Sequence, residues 1–102
     1  MTNKPSVPLD FSGRDKLLKD PKHAVAYLEE CFVDGNLELF QEALRDVAKA
    51  QGGMSALARE TKISREALYR ALSKKGNPQF ETIFKVVSAM GFKFSIVPDA
   101  VA

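Results

Sequence analysis

Residues 54–73 read MSALARETKISREALYRALS, and the fold turns on how this stretch divides. Met54 to Glu60 has helical composition with Leu57 and Ala58 turned inward, and Thr61-Lys62-Ile63 is too brief for anything but a tight turn. Ser64 is a good N-cap for a second helix over Arg65 to Ser73, with Leu68, Ala71 and Leu72 inward. Two short helices joined this way need a small residue where they cross and an apolar plug in the turn; Ala58 and Ile63 meet those needs. The outer positions of the second helix are Arg65, Glu66, Tyr69 and Arg70. This arrangement predicts a helix-turn-helix reading unit, whose second helix enters the major groove by its N-terminal residues.

On that reading Arg65, Glu66 and Tyr69 face bases. Arg65 can fork onto guanine O6/N7, Glu66 can accept from cytosine N4, and Tyr69 can pack on a thymine methyl or bond a phosphate. Ser55, Lys62, Arg70, Ser73, Lys74, Lys75 and Asn77 are the phosphate candidates. The plainer alternative is a small helical bundle with a solvated Arg–Glu pair. It draws support from Lys62, which stands where such turns usually carry a glycine.

Outward from this unit, Asp20-Pro21 looks like a helix start, with Asp as N-cap and Pro at the first helical position. Ala24, Leu28, Cys31 and Phe32 follow at helical spacing and Gly35 supplies the stop. Asn36 caps a second helix striped by Leu37, Phe40, Leu44, Val47 and Ala48, which Gly52-Gly53 ends. Downstream, Gly76-Asn77-Pro78 breaks the chain. A last helix over Phe80 to Met90 is expected to turn Phe80, Ile83, Phe84, Val87 and Met90 to the core before Gly91 closes it. Phe92, Phe94 and Ile96 then alternate with Lys93, Ser95 and Val97, which is strand periodicity, and Pro98 ends the run. A lone strand has unpaired backbone edges. It pairs either with its symmetry mate, making a homodimer through Phe92, Phe94 and Ile96, or with the N-terminal arm of its own chain. The expected organisation is a flexible arm over 1–19, a helical domain over 20–91 with the helix-turn-helix at 54–73, and a terminal strand over 92–98.

The chain has 102 residues, 45% apolar and 27% charged, which suits one compact domain. Its formal net charge of +2 conceals a split: residues 1–51 carry seven cations against nine carboxylates, residues 52–102 eight against four. Five of those eight lie between Lys62 and Lys75. Such a cluster suits a polyanion, although solvated helix faces also produce it. No apolar run is long enough to span a membrane, and the first twenty residues lack the apolar core of a signal peptide. One cysteine excludes an internal disulfide and fits a reducing compartment, so a cytoplasmic protein is expected.

Nothing points to an enzyme. His23, the single histidine, sits in the first turn of a helix, and Cys31 lies on an apolar stripe. One Cys and one His do not make a four-ligand zinc site, and Gly52-Gly53 lacks the lysine of a phosphate loop. No catalytic residue, metal or cofactor is expected. The acidic N-terminal half suits a basic protein partner, so a protein-interaction module with little DNA affinity stays open as an alternative, beside a stand-alone transcriptional regulator.

Leu57-Ala58, Ile63-Ser64-Arg65, Leu68, Asn77-Pro78 and Phe80-Glu81-Thr82-Ile83 together resemble the Cro/C1-type helix-turn-helix family. Ala26-Tyr27-Leu28, the run from Phe40 to Ala48, Ala58-Arg59-Glu60, the run from Ser64 to Leu72, Gly76-Asn77-Pro78 and Gly91-Phe92-Lys93-Phe94 extend the likeness over about residues 20–97. They make the chain similar to the probable addiction-module antidotes, the antitoxins of Hig-type toxin–antitoxin pairs. The resemblance implies an all-α, five-helix repressor-like DNA-binding domain, here with a short C-terminal β-strand. It implies a dimer that binds a RelE/ParE-like toxin and represses its own operon at a double-stranded operator. Two positions depart from the wider pattern. Met54 replaces a phosphate-bonding glutamine, and Leu72-Ser73-Lys74 replaces a Glu-x-Gly end to the second helix.

Overall fold

The computed structural model describes residues 16–33, 35–73 and 77–99, and every regular element among them is helical. In chain order these are α1 (Pro21–Val33), α2 (Leu37–Ala50), α3 (Gly53–Thr61), α4 (Arg65–Ala71) and α5 (Phe80–Ala89). Helical residues 16–19 precede α1, so the described chain holds one helical segment beyond the five expected. That segment falls within the expected arm, yet Leu18 is buried and its carbonyl accepts from Gln51 Nε2 at 3.0 Å. The rest of the arm, residues 1–15, lies outside the described residues, as do Lys74, Lys75 and Gly76.

Helix starts follow the side chains that satisfy their free N–H groups. Asp20 Oδ1 accepts from the Lys22 N–H at 3.0 Å ahead of α1, and Asn36 Oδ1 accepts from the Leu39 N–H at 3.1 Å ahead of α2. Between α2 and α3 the chain reverses on Gly52 at φ +118°, a backbone conformation costly for any residue with a Cβ. At the end of α5, Gly91 adopts φ +87°; its N–H donates to the Ser88 carbonyl and that of Phe92 to the Val87 carbonyl. This paired closure satisfies two of the carbonyls the helix end leaves over.

α1 packs on α2, α2 on α3, and α3 on both α4 and α5. Leu44, Val47, Leu68, Leu72 and Val86 are wholly enclosed at the centre. Each such side chain contributes about 1.5–3 kcal/mol relative to exposure. Tyr27 Oη donates to Asp46 Oδ2 at 3.0 Å and ties α1 to α2. Cys31 lies in the core, and His23 is exposed with Nδ1 3.0 Å from Asp20 Oδ2.

The core differs from the expected one at its edges. Leu37, Phe32, Phe80 and Phe84 are exposed, while Met54 and Val86 are buried. On α5 the buried line runs through Val86 and Val87, which leaves Phe80 and Phe84 on the next face. There they meet Phe94, with ring centroids 5.7 Å and 6.5 Å away. The expected C-terminal strand is corrected: residues 92–99 form no strand. Phe92 is committed by its N–H to the helix closure and Phe94 to the phenylalanine cluster, while Ile96 is 99% exposed. The three residues therefore do not form the common face that strand alternation requires.

Candidate functional site

The candidate site is the exposed side of α4 and the turn that delivers it. α4 is only seven residues long, too short to hold its shape in isolation. Its start is fixed by Ser64, whose Oγ accepts from the Ala67 N–H at 3.1 Å. Leu68 and Leu72 anchor its inner side with no exposure. Its end is fixed from another helix: Gln41 of α2, 5% exposed, donates Nε2 to the Ala71 carbonyl at 2.7 Å and the Ser73 carbonyl at 3.2 Å. Ser73 Oγ also donates to the Arg70 carbonyl at 2.9 Å.

The turn is built around Lys62. At φ 62° and ψ 25° it is the one non-glycine residue with positive φ among those described. Its N–H donates to the Ala58 carbonyl at 2.8 Å and closes α3. Thr61 braces it on both sides: its Oγ1 donates to the Leu57 carbonyl at 2.8 Å and accepts from the Ile63 N–H at 3.2 Å. Ile63 is half-buried and packs against the core, as the plug of a tight turn must.

These supports leave Arg65, Glu66, Tyr69 and Arg70 exposed on α4. The Arg65 guanidinium carbon lies 5.9 Å from the Tyr69 ring centroid, a cation–π distance across one helical turn. Among the described residues no carboxylate pairs with Lys62, Arg65 or Arg70. Arg70 and Asn77 line one open groove of about 550 Å³ between α4 and the start of α5. Ser55 and Lys62 are exposed, Ser73 is half-buried, and Lys74 and Lys75 lie outside the described residues. Met54 is core, 4% exposed.

Gln41 is the residue the sequence reading passed over. Its signal was present: it falls between Leu37 and Leu44 on the helical stripe that continues to Ala48. A polar residue on a buried stripe needs a buried partner, and the exposed carbonyls at a helix end are suitable partners.

Comparison with known proteins adds the biological setting. The family profile described as a probable addiction module antidote protein matches residues 9–98. An uncharacterised protein of Haemophilus influenzae (strain Rd) is 47% identical over 87 residues, covering 85% of this chain and 88% of the relative. No solved structure matches the chain at a significant level. With the profile spanning nearly the whole chain, the protein belongs to the family of probable addiction module antidote proteins.

Proposed function

We propose that the chain is a DNA-binding antitoxin of a type II toxin–antitoxin module, one that neutralises a RelE/ParE-like toxin by direct contact and represses its own operon. The family implies the toxin partner. The DNA half of the reading is carried by α4, a helix held at both ends and along its inner side that presents Arg65, Glu66 and Tyr69 outward. Fixed, unpaired and fork-shaped donors are what base readout in the major groove needs. α3, the Lys62 turn and α4 act as a Cro/C1-type helix-turn-helix, with Lys62, Arg70, Asn77 and the lysines after α4 on phosphates. Operator binding by two half-sites makes a homodimer part of the reading. The role is non-enzymatic and intracellular.

The direct test is a titration of duplex DNA from the chain's own promoter at fixed salt. Arg65→Ala is expected to weaken binding by about 1–3 kcal/mol and to relax base preference at one position of each half-site. Affinity and preference both unchanged would remove Arg65 as a reader. A second reading, an interaction module with little DNA affinity, is favoured by one observation: residues 20–50 carry seven carboxylates against three cations. An affinity for DNA that does not respond to salt would favour it.

A further inference from the structure

We propose that the toxin docks on the apolar groove at the turn between α1 and α2, and that the toxin face meeting this groove is basic. The inference rests on the antidote reading above and assigns that reading a surface. The groove encloses about 420 Å³, and Phe32, Leu37, Phe40, Phe80, Ile83 and Phe94 form its apolar lining. It continues past Phe32, Phe40 and Phe94 into a second hollow that takes in Val25 and Leu28. None of Arg65, Glu66 and Tyr69 lines either depression, and of the described phosphate candidates only Asn77 does, at the edge the groove shares with the α4 side.

Two properties separate this surface from ordinary exposed apolar area. The first is that its aromatic rings are large, preformed and in contact with one another. Phe32 and Phe40 have centroids 4.7 Å apart, Phe80 and Phe94 5.7 Å, yet Phe80 is 69% and Phe32 49% exposed. Contiguous aromatic surface of this kind is what the centres of protein interfaces bury. The second property is the charge around it. Between Lys22 and Arg45 the chain has five carboxylates and no lysine or arginine. Of these, Glu38 lines the groove and Glu29 the adjoining hollow, which Lys93 also lines. An apolar centre flanked by these two carboxylates suits a basic partner and disfavours pairing of the groove with the same groove of a second copy. The opposite balance holds over residues 52–99, where eight cations face four carboxylates. Toxin and DNA therefore take surfaces of opposite charge on one small molecule.

The test uses the full chain and, as probe, the purified product of the reading frame adjoining its gene. Phe80→Glu is expected to weaken that complex by about tenfold or more and Glu38→Lys by about fivefold. Both variants should keep affinity for promoter DNA within about twofold, whereas Arg65→Ala should do the reverse. Phe80 and Glu38 are exposed, so thermal melts should show both variants folded. If wild type binds the probe and both groove variants bind it equally well, the surface is wrong while the antidote reading stands. If the groove variants instead dissociate a wild-type dimer in sedimentation, the groove is a self-interface and the proposal fails. If wild type does not bind the probe at all, the antidote reading fails with that product and the surface assignment falls with it.

Discussion

Gln41 does more for the candidate site than its position on a neighbouring helix suggests. One buried amide holds two carbonyls at the far end of α4, and its removal leaves them without that donor. Gln41→Leu is expected to lower the free energy of unfolding by about 1–3 kcal/mol, read from urea melts. On the proposed reading it should also weaken DNA binding without altering the charge of the exposed side of α4. Lys62 poses the opposite problem, a side chain held in a left-handed turn. That conformation costs roughly 1–2 kcal/mol in an L-residue, against about 0.5–1 kcal/mol of backbone entropy for a glycine. Lys62→Gly should therefore stabilise the fold by about 0.5–1 kcal/mol while reducing the salt dependence of DNA binding by roughly one phosphate contact. A variant that gains stability with binding unchanged would show that Lys62 touches no phosphate. Asp20 offers a pH signal. The Lys22 N–H and His23 hold its carboxyl below the ordinary carboxylate value. Its contribution is present above that ordinary value and is lost as pH falls through the lowered one. Asp20→Asn should flatten this acid limb of a stability–pH profile, and an unchanged limb would remove Asp20 as its source.

At the scale of elements, α4 is a dependent helix. Its seven residues are ordered by a cap, a cross-helix amide and two enclosed leucines rather than by propensity. Ser64→Ala is expected to cost about 1 kcal/mol, measured by chemical denaturation, with a parallel loss of DNA affinity because the same turn aims Arg65. The C-terminal segment behaves unlike a strand for an identifiable reason. The Schellman-type closure at Gly91 uses the Phe92 N–H, and Phe94 finds apolar partners on α5 within its own chain. Beyond Ser95 the apolar side chains lose their cover: Ile96 and Val97 are exposed. A chain cut after Ser95 should therefore melt within about 0.5 kcal/mol of wild type. One cut after Gly91 should be clearly less stable. Equal losses from both cuts would mean that the last residues hold the fold through contacts beyond those of Phe92 and Phe94.

For the molecule as a whole, the decisive property is that charge is sorted along the chain and not neutralised overall. A net charge of +2 hides an acidic α1–α2 half and a basic half that contains α4. For DNA binding, each phosphate neutralised contributes about −0.9 to the slope of log affinity against log salt. Lys62, Arg70, Lys74 and Lys75 on phosphates predict a slope of roughly −3 to −4 per copy. A slope near zero in the same titration would return the basic stretch to a solvated helix face.

The helical class, the limits of α2 and α3 to within about a residue, the start of α4 (though not its end, expected at Ser73 and found at Ala71), the caps at Asp20, Asn36 and Ser64 and the strained turn at Lys62 were legible in the residues themselves. Each depends on interactions within about four positions along the chain, which is the range over which sequence pattern acts. The sorting of charge was legible for the same reason. What only the tertiary structure decided lies where distant segments compete for one surface. Phe80 and Phe84 carry helical spacing, but Val86 and Val87 occupy the core on that helix. Phe94 carries strand spacing, but the side of α5 captures its ring. Gln41 joins its carbonyl partners across thirty positions of sequence, a contact that periodicity does not encode. The amphipathic pattern states which residues prefer to leave water; packing volume and the available hydrogen-bond partners determine which of them succeed.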